Sequence, residues 1–381
     1  AEGELVDVIY NKMDTRRAIN PYLSIIANEF IDQKYEIASP TSFSDWNAIK
    51  AFVDDGMIVI HKQVTKKGHY QNVYSRAMWP ASHFLASAYK MQHAEVKWIA
   101  EFSDPLIFDI HGKEREAKIT NSQYLKTILH ELKQRNLPLT DSESLFFWCE
   151  YLTFVFADKI IFTNENQKNY MLNNFPIQEI IPAVLAKCTI KHQPTLPDMF
   201  YHVFKSDYYI DDSFVNLAYF GAFYNTRKLN ELVEAVKDMS TSERKKLKIH
   251  IFTDQPEEFY HEIKGTSLSN VFYTSPYIDY FQFLNLTTRF DCVIVNDAVS
   301  KPDHDYNPYL PSKLSDYLGS GTDIWGLCED GSVLSRSDIA YKSPIGDVEA
   351  TKNMLEKIIS ETLSKKANQD GGESKQPDVW R

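Results

Sequence analysis

Residues 307–321 read NPYLPSKLSDYLGSG, and they contain a short helix with clear start and stop signals. Pro311 suits the first turn of a helix, because the N–H that proline lacks would have no partner there. Gly319 and Gly321 suit the end of the helix. Three apolar residues between them repeat at i, i+3 and i+4, so they would face a core. The stretch therefore predicts a helix of about nine residues with one buried face.

The polar face of this helix carries the residues that could bind a ligand. Lys313 and Asp316 lie three apart and share a face that the core does not use. The N–H groups of Ser312 and Lys313 would point out of the helix start, where an anion is stabilised. A nucleotide diphosphate fits this pattern, with phosphates at the helix start and ribose hydroxyls on Asp316. A solvated helix with an incidental charge pair fits it too.

The run PSKLSDYLGSG resembles the donor-binding segment of GT-B glycosyltransferases, especially family-4-like enzymes of bacterial surface polysaccharide synthesis. In that family a buried strand follows the helix, and residues 323–327 (DIWGL) match such a strand. The resemblance implies a nucleotide diphosphate sugar as donor, with UDP-sugar and GDP-sugar not distinguished, and no separate cofactor.

Two upstream positions resemble further donor contacts of the family. Gly221, followed six residues later by Arg227, resembles the G-x-x-x-x-x-(K/R) start of the C-terminal domain, although Ala222 stands where an arginine is usual. Glycine lets backbone approach a phosphate, and arginine grips it with a planar fork. Tyr277 lies where the family recognises the base, so it could stack there or simply pack. No metal is predicted if Arg227, Lys313 and the helix N-termini neutralise the diphosphate.

One element of the family pattern is missing. A glutamate usually lies eight residues before the acid of the donor helix, but counting back from Asp316 gives Pro308. Asp303, His304 and Asp305 lie nearby, and they could replace the glutamate, bind a metal or simply be solvated. The anomeric outcome and the identity of the sugar therefore stay open.

In the first half, residues 98–112 (WIAEFSDPLIFDIHG) place Glu101, Ser103 and Asp104 just past the end of a strand, where open α/β sheets build ligand crevices. The segment resembles the W-x-x-(acid)-F-x-D-P loop that faces the acceptor in several bacterial glycosyltransferases. Asp104 is accordingly the candidate catalytic carboxylate, a base or a positioning group. A turn role before proline is the alternative. His111 is a weaker candidate.

Apolar runs alternate with helical patterns along the whole chain, which predicts parallel sheets covered by helices. We expect two Rossmann-like doubly wound α/β domains facing each other across a cleft. Residues 1–198 would form the acceptor-side domain and residues 199–363 the donor domain, whose last helix crosses back to the first. Residues 364–381 are poor in apolar side chains and predict a disordered tail. The predicted strands of the first half are residues 5–10, 57–60, 97–100, 159–162 and 179–182, with a helix at residues 21–30.

Composition narrows the choice of partners and compartment. A net charge of −11 argues against general nucleic-acid binding. Four widely spaced cysteines suggest buried thiols of a reducing compartment. No signal peptide and no membrane-spanning apolar stretch are visible. A cytoplasmic protein is expected, and peripheral association with the inner face of the membrane is compatible with it.

These patterns predict a glycosyltransferase, of hexosyltransferase type, that moves a sugar from a nucleotide diphosphate sugar to a glycan or lipid-linked acceptor. Two alternatives remain. The missing glutamate and the lack of a glycine-rich loop after the first strand would suit a catalytically silent binding module of a larger polysaccharide assembly enzyme. A sugar-nucleotide epimerase of the same fold would act on the donor without an acceptor.

Overall fold

The computed structural model describes residues 5–13, 20–222 and 229–372, and the chain packs as two units. The first unit extends to His192 and also takes in Pro302–Pro308. The second unit comprises Gln193–Lys301 and the chain from Tyr309 onward. Each unit buries its own hydrophobic core between strands and helices.

The first unit contains two parallel sheets within the described residues. Strands β1 and β2 pair with each other, and β3, β4, β5 and β6 form a second sheet in that order. The strands are β1 (Val6–Asn11), β2 (Ile31–Ile37), β3 (Asn72–Arg76), β4 (Lys97–Phe102), β5 (Lys159–Phe162) and β6 (Cys188–Ile190). The α-helices are α1 (Trp46–Lys67), α2 (Ala81–Gln92), α3 (Ser122–Gln134), α4 (Leu145–Phe156), α5 (Glu165–Asn173) and α6 (Ile181–Leu185).

The second unit is built on one parallel sheet with the strand order β12-β11-β10-β7-β8-β9. Its strands are β7 (Val215–Phe220), β8 (Leu247–Thr253), β9 (Phe272–Pro276), β10 (Cys292–Asn296), β11 (Asp323–Cys328) and β12 (Tyr341–Pro344). Its α-helices are α7 (Asn230–Asp238), α8 (Thr241–Arg244), α9 (Pro256–Ile263), α10 (Tyr280–Thr287), α11 (Lys313–Ser320), α12 (Val333–Arg336) and α13 (Val348–Gly372). This order is the one that Rossmann folds use.

The prediction of two Rossmann-like α/β domains with parallel sheets is confirmed, since the strand pairs within each sheet run parallel. Along the described part of the chain, no helix combines the length and apolarity needed to cross a membrane. The four cysteines are free thiols, and Cys188 is half-buried while the other three are buried.

Three local predictions in the first unit are wrong. Residues 57–60 lie inside α1, because apolar side chains continue at helical spacing from Trp46 to Ile60. Residues 179–182 end a 3-10 turn and begin α6, where Pro182 suits a first turn and cannot join a strand ladder. Residues 21–30 form two short 3-10 helices because the chain enters β2 directly afterwards.

The expected disorder of residues 364–381 is wrong for its first part, because α13 continues to Gly372. Two lysines fix this extension to the second unit. Lys365 Nζ donates to Asp323 at 2.7 Å, and Lys366 Nζ donates to Asp291 at 2.9 Å. Charged residues that read as a solvated tail therefore hold the helix onto the ends of two strands. Residues 373–381 lie outside the described part of the chain.

The two glycines of α11 have different roles. Gly321 is the left-handed C-cap, with a φ of +71°, as its place in the sequence suggested. Gly319 lies inside the helix, where a Cβ would come within 2.6 Å of Tyr201 Cζ and 2.7 Å of Thr195 Cγ2. Its small size therefore admits the buried Tyr201 ring, whose hydroxyl donates to the Asp316 carbonyl at 2.6 Å.

Replacing Gly319 with alanine should lower the free energy of unfolding by about 1–3 kcal/mol, because the Tyr201 ring must shift to admit the methyl group. Urea unfolding measures this loss. Leu318→Ala on the same helix is the matched control, since Leu318 is 50% exposed and its truncation should cost less than about 1 kcal/mol. Equal stability of the glycine variant and the parent would contradict the packing role.

Candidate functional site

The strand order of the second sheet reverses between β7 and β10. Strands β7, β8 and β9 follow one another in one direction, and β10, β11 and β12 follow in the other. The connections after β7 and β10 therefore lead away from each other and leave a gap at the carboxyl ends of these two strands. In open α/β sheets this is where ligands bind.

A cavity of about 240 Å³ lies at this reversal, within the second unit. Its walls combine the end of β7, the end of β10, the loop after β9 and the start of α11. The lining residues are Tyr219, Phe220, Gly221, Ala222, Tyr277, Ile294, Val295, Asn296, Pro311, Ser312, Lys313 and Tyr317. Four of the residues that the sequence predicted for donor binding are thus brought together: Gly221, Tyr277, Ser312 and Lys313.

Gly221 directly follows β7, and its N–H donates to the Phe252 carbonyl at 2.9 Å. A Cβ at this position would lie 2.6 Å from the Tyr219 hydroxyl oxygen and 2.8 Å from Tyr219 Cζ. The close packing of Tyr219 against this backbone is by itself a reason for a glycine at position 221. Approach of a phosphate to the same backbone stays a prediction.

The start of α11 forms one wall of the cavity. Ser312 occupies the N-cap position with helical dihedrals, and its side chain makes no capping hydrogen bond with the described residues. Lys313 follows as the first helical residue, and Pro311 before it is buried. The amino end of α11 and Lys313 therefore both line the cavity. This arrangement stabilises anions.

Asp316 is not among the described residues that line the cavity. Its Oδ1 accepts a hydrogen bond from the Tyr280 hydroxyl at 2.8 Å. Burial raises the pKa of Asp316, while the bond from Tyr280 and the charge of Lys313 act in the opposite direction. The Tyr280 hydroxyl thus holds the Asp316 carboxylate about one helical turn after Lys313. Contact between Asp316 and a ribose stays a prediction.

Arg227, the second predicted cation of the donor site, lies outside the described residues.

Sequence reasoning missed three polar residues of the cavity wall. The Tyr219 hydroxyl donates to Asn296 Oδ1 at 3.4 Å, and burial raises the pKa of the Tyr317 hydroxyl well above its usual value. Asn296 ends the apolar run CVIVN, and a polar residue at the carboxyl end of a buried strand was a signal that could have found it.

Two buried carboxylates fix the loop that follows β10. Glu329 Oε1 accepts from the N–H groups of Ser300 and Lys301 at 2.9 and 2.8 Å, and its Oε2 accepts from the Ser300 hydroxyl at 2.6 Å. Asp297 Oδ2 in turn accepts from the Glu329 N–H at 2.9 Å. The loop that follows β10 therefore begins from a fixed turn.

The three residues considered as replacements for the missing glutamate belong to the first unit. Asp303 Oδ2 lies 3.1 Å from His111 Nδ1, and His304 Nε2 lies 2.8 Å from the Ile110 carbonyl. Asp305 is exposed. Two of the three are thus bound to the turn that contains His111, which gives His111 and its neighbours a structural role.

Asp104 lies in the first unit, exposed, in the loop that follows the carboxyl end of β4. The residues on either side of it are anchored. Ser103 Oγ accepts from Arg76 Nε at 2.9 Å, and Glu101 pairs with the same arginine at 3.2 Å. The loop is therefore anchored next to Asp104 and exposes the carboxylate of that residue, as a candidate catalytic residue requires.

The anchor on the far side of Asp104 is Glu150 of α4. Its Oε1 accepts from the N–H groups of Leu106 and Ile107 at 2.9 and 3.0 Å. Burial raises the pKa of Glu150 to about 7, although these two bonds and the charge of Arg115 favour the ionised form. Sequence inspection missed this residue, although a single glutamate within the apolar run LFFWCEYLTFVF was a signal that could have found it.

The TNENQ stretch after β5, residues 163–167, caps the helix that follows it. Asn164 is the N-cap of α5, and its side chain accepts from the Gln167 N–H at 2.8 Å. Gln167 Oε1 accepts from the Thr163 N–H, while its Nε2 donates to the Phe102 carbonyl. These bonds tie the ends of β4 and β5 together.

No family profile and no curated protein matches the sequence. Solved structures do resemble the fold. Sucrose-phosphate synthase from Thermosynechococcus elongatus is 12% identical over 95% of this chain and 81% of its own, with a TM-score of 0.58. A glycosyltransferase from Rickettsia africae ESF-5 is 11% identical over 93% and 85%, with a TM-score of 0.50. The UDP-forming α,α-trehalose-phosphate synthase from Burkholderia xenovorans is 9% identical over 84% and 74%, also with a TM-score of 0.50.

At these identities the similarity is one of fold. It agrees with the parallel sheets and with the strand order of the second unit. The chain has the GT-B glycosyltransferase fold, with two Rossmann-like α/β domains.

Proposed function

We propose that the chain is a glycosyltransferase that moves a sugar, of hexose type, from a nucleotide diphosphate sugar to a glycan or lipid-linked acceptor, in surface polysaccharide synthesis. One observation carries this proposal. Residues from three separate stretches that resemble GT-B donor contacts (Gly221, Tyr277, and Ser312 with Lys313) line one cavity at the strand reversal of the second sheet.

The charges at this cavity suit a leaving nucleotide diphosphate. The diphosphate is anionic in the donor and gains further charge as the glycosidic bond breaks. Lys313 and the amino end of α11 would stabilise that charge. Electrostatic catalysis works by stabilising the charge that develops in the transition state. Tyr277 is 53% exposed and lies on the cavity wall, so its ring would stack on the base. Among the similar structures, one enzyme is described as UDP-forming, which makes UDP the first nucleotide to test.

In this proposal Asp104 acts on the acceptor. A carboxylate that removes the proton from an attacking hydroxyl raises the nucleophilicity of that hydroxyl at the moment of transfer. An exposed side chain on an anchored loop suits this task.

Lys313→Ala should weaken binding of the matching nucleoside diphosphate by about ten- to a hundredfold, because a charge-assisted hydrogen bond contributes roughly 1.5–3 kcal/mol. Isothermal titration with UDP and with GDP measures the loss. Lys237→Ala is the matched control, because it removes the same charge from an exposed lysine paired with Glu234 on α7. Parent-like binding by the Lys313 variant would place the donor elsewhere.

Turnover assays then separate the proposed function from its alternatives. Transfer to an acceptor supports the glycosyltransferase. Conversion of the sugar nucleotide with no acceptor present would instead indicate an epimerase. Tight donor binding with neither reaction, across a panel of acceptors, would indicate a binding module.

A further inference from the structure

Two histidines and a glutamate lie together at the amino ends of neighbouring strands in the first unit. His69 lies in the connection from α1 to β3, and His93 and Glu95 lie in the connection from α2 to β4. Strands β3 and β4 are paired, with Asn72 opposite Lys97. The pairing of these strands brings the two connections side by side.

The three side chains can share one ion. Their candidate ligand atoms all lie within 4.8 Å of one another, and His93 Nδ1 is 3.8 Å from Glu95 Oε1. The rings of His69 and His93 have centroids 4.7 Å apart. Tetrahedral zinc with bonds of about 2.0–2.1 Å holds its ligand atoms roughly 3.3 Å apart. Rotation of the His69 and Glu95 side chains, both of which are exposed, would bring the ligand atoms to this spacing.

The backbone fixes these positions. Gly68 ends α1 with a φ of +83°, and its N–H donates to the Val64 carbonyl at 2.9 Å, so the chain reverses just before His69. His93 is the C-cap of α2, and its ring packs on Tyr89 with centroids 4.7 Å apart. The Val96 N–H donates to the His93 carbonyl at 3.2 Å and closes a turn around Glu95.

The ends of two helices and the Lys90 ammonium contribute to the local field at this cluster. Helices α1 and α2 both end here, and the carboxyl end of a helix carries a partial negative charge. Two lysines of these last turns, Lys67 and Lys90, have acidic partners, and Lys90 Nζ also donates to the carbonyls of Ala94 and Val96, on either side of Glu95, at 2.9 and 2.5 Å. Lys67 Nζ donates to Asp32 at 2.6 Å, and Lys90 Nζ donates to Asp158 at 2.9 Å.

We propose that His69, His93 and Glu95 bind a divalent ion of the zinc class, with water in the open position. Two imidazoles and one carboxylate are a set that zinc accepts, whereas Mg²⁺ and Ca²⁺ prefer oxygen ligands alone. The ion clamps the two connections that lead into β3 and β4. It is a structural site, because Asp104 follows the opposite end of β4, about 20 Å away at 3.3 Å per residue.

The test is isothermal titration of tag-free, chelator-treated protein with Zn²⁺, and with Mg²⁺ in parallel. We expect one zinc per chain, no heat with Mg²⁺, and an affinity at least about tenfold lower in His69→Ala and Glu95→Gln. Both side chains are exposed, so these variants should fold. His130→Ala is the matched control, because His130 is an exposed histidine that bonds to Gln134 on α3. Zinc should also raise the melting temperature of the parent and of the control, but not that of the two site variants.

Absence of zinc binding by the parent would overturn the proposal. So would equal affinity in the parent and both site variants, because the zinc would then be bound by other residues. Sugar transfer does not enter either measurement, so this outcome is independent of the donor site.

Discussion

Asp104→Asn should lower the turnover number for sugar transfer by about a hundredfold or more, while the affinity for the nucleotide donor stays nearly unchanged. General base catalysis contributes about 10²–10⁴-fold, and asparagine keeps the size of the side chain but cannot take a proton. The loop should keep its position, because Glu150, Arg76 and Ser103 hold it through groups other than the Asp104 carboxylate.

Initial rates at saturating donor and acceptor, combined with donor titration, separate the two quantities. Asp141→Asn serves as control, because Asp141 is an exposed aspartate in the loop before α4. Parent-like turnover in the Asp104 variant would leave this residue with only its turn role before Pro105.

Glu150→Gln should make the protein more stable than the parent at pH 8 and change little at pH 5. Burial raises the pKa of Glu150 from about 4.5 to about 7 in the folded chain. Below about pH 4.5 both states hold the proton. Between about pH 4.5 and pH 7 the unfolded chain releases this proton while the folded chain keeps it. The free energy of unfolding of the parent therefore falls as pH rises to about 7. This loss amounts to about 3 kcal/mol, which the glutamine variant avoids.

Urea unfolding at the two pH values measures the difference. Glutamine keeps an oxygen acceptor for the N–H groups of Leu106 and Ile107, so the anchor of the loop should survive. Glu143→Gln is the control, because Glu143 is exposed and pairs with Lys118. A variant that is less stable than the parent at pH 8 would show that the ionised form of Glu150 is needed by the fold.

The sequence predicted the parallel sheets because strand and helix periodicities alternate over most of the chain. Through the resemblance to GT-B donor segments it also pointed to Gly221, Tyr277, Ser312 and Lys313, which line the cavity of the second unit, and their role in donor binding stays a prediction. The failure at residues 57–60 has a clear physical origin. Residues 57–60 look like a strand in a short window, and only the longer repeat from Trp46 reveals α1.

The bonding partners of the buried carboxylates were beyond sequence reasoning. Glu150 and Glu329 each accept hydrogen bonds from backbone groups far away in the chain, Glu150 from residues 106 and 107 and Glu329 from residues 300 and 301. Glu150 lies within an apolar helix and Glu329 directly follows an apolar strand, but neither local sequence identifies the groups that the carboxylate will bind. The partners of a buried charge are set by tertiary packing, so local pattern carries no information about them.

The passage of residues 302–308 into the first unit bears on how the chain matures during synthesis. Asn166 Nδ2 donates to the Asn307 carbonyl at 2.8 Å, and Asn164 Nδ2 donates to the Pro308 carbonyl at 3.1 Å. These acceptors leave the ribosome more than a hundred residues after His192, a delay on the order of ten seconds. By then β7 to β10 have already been made. The amino-terminal unit therefore lacks these two backbone acceptors until residues 302–308 have been made.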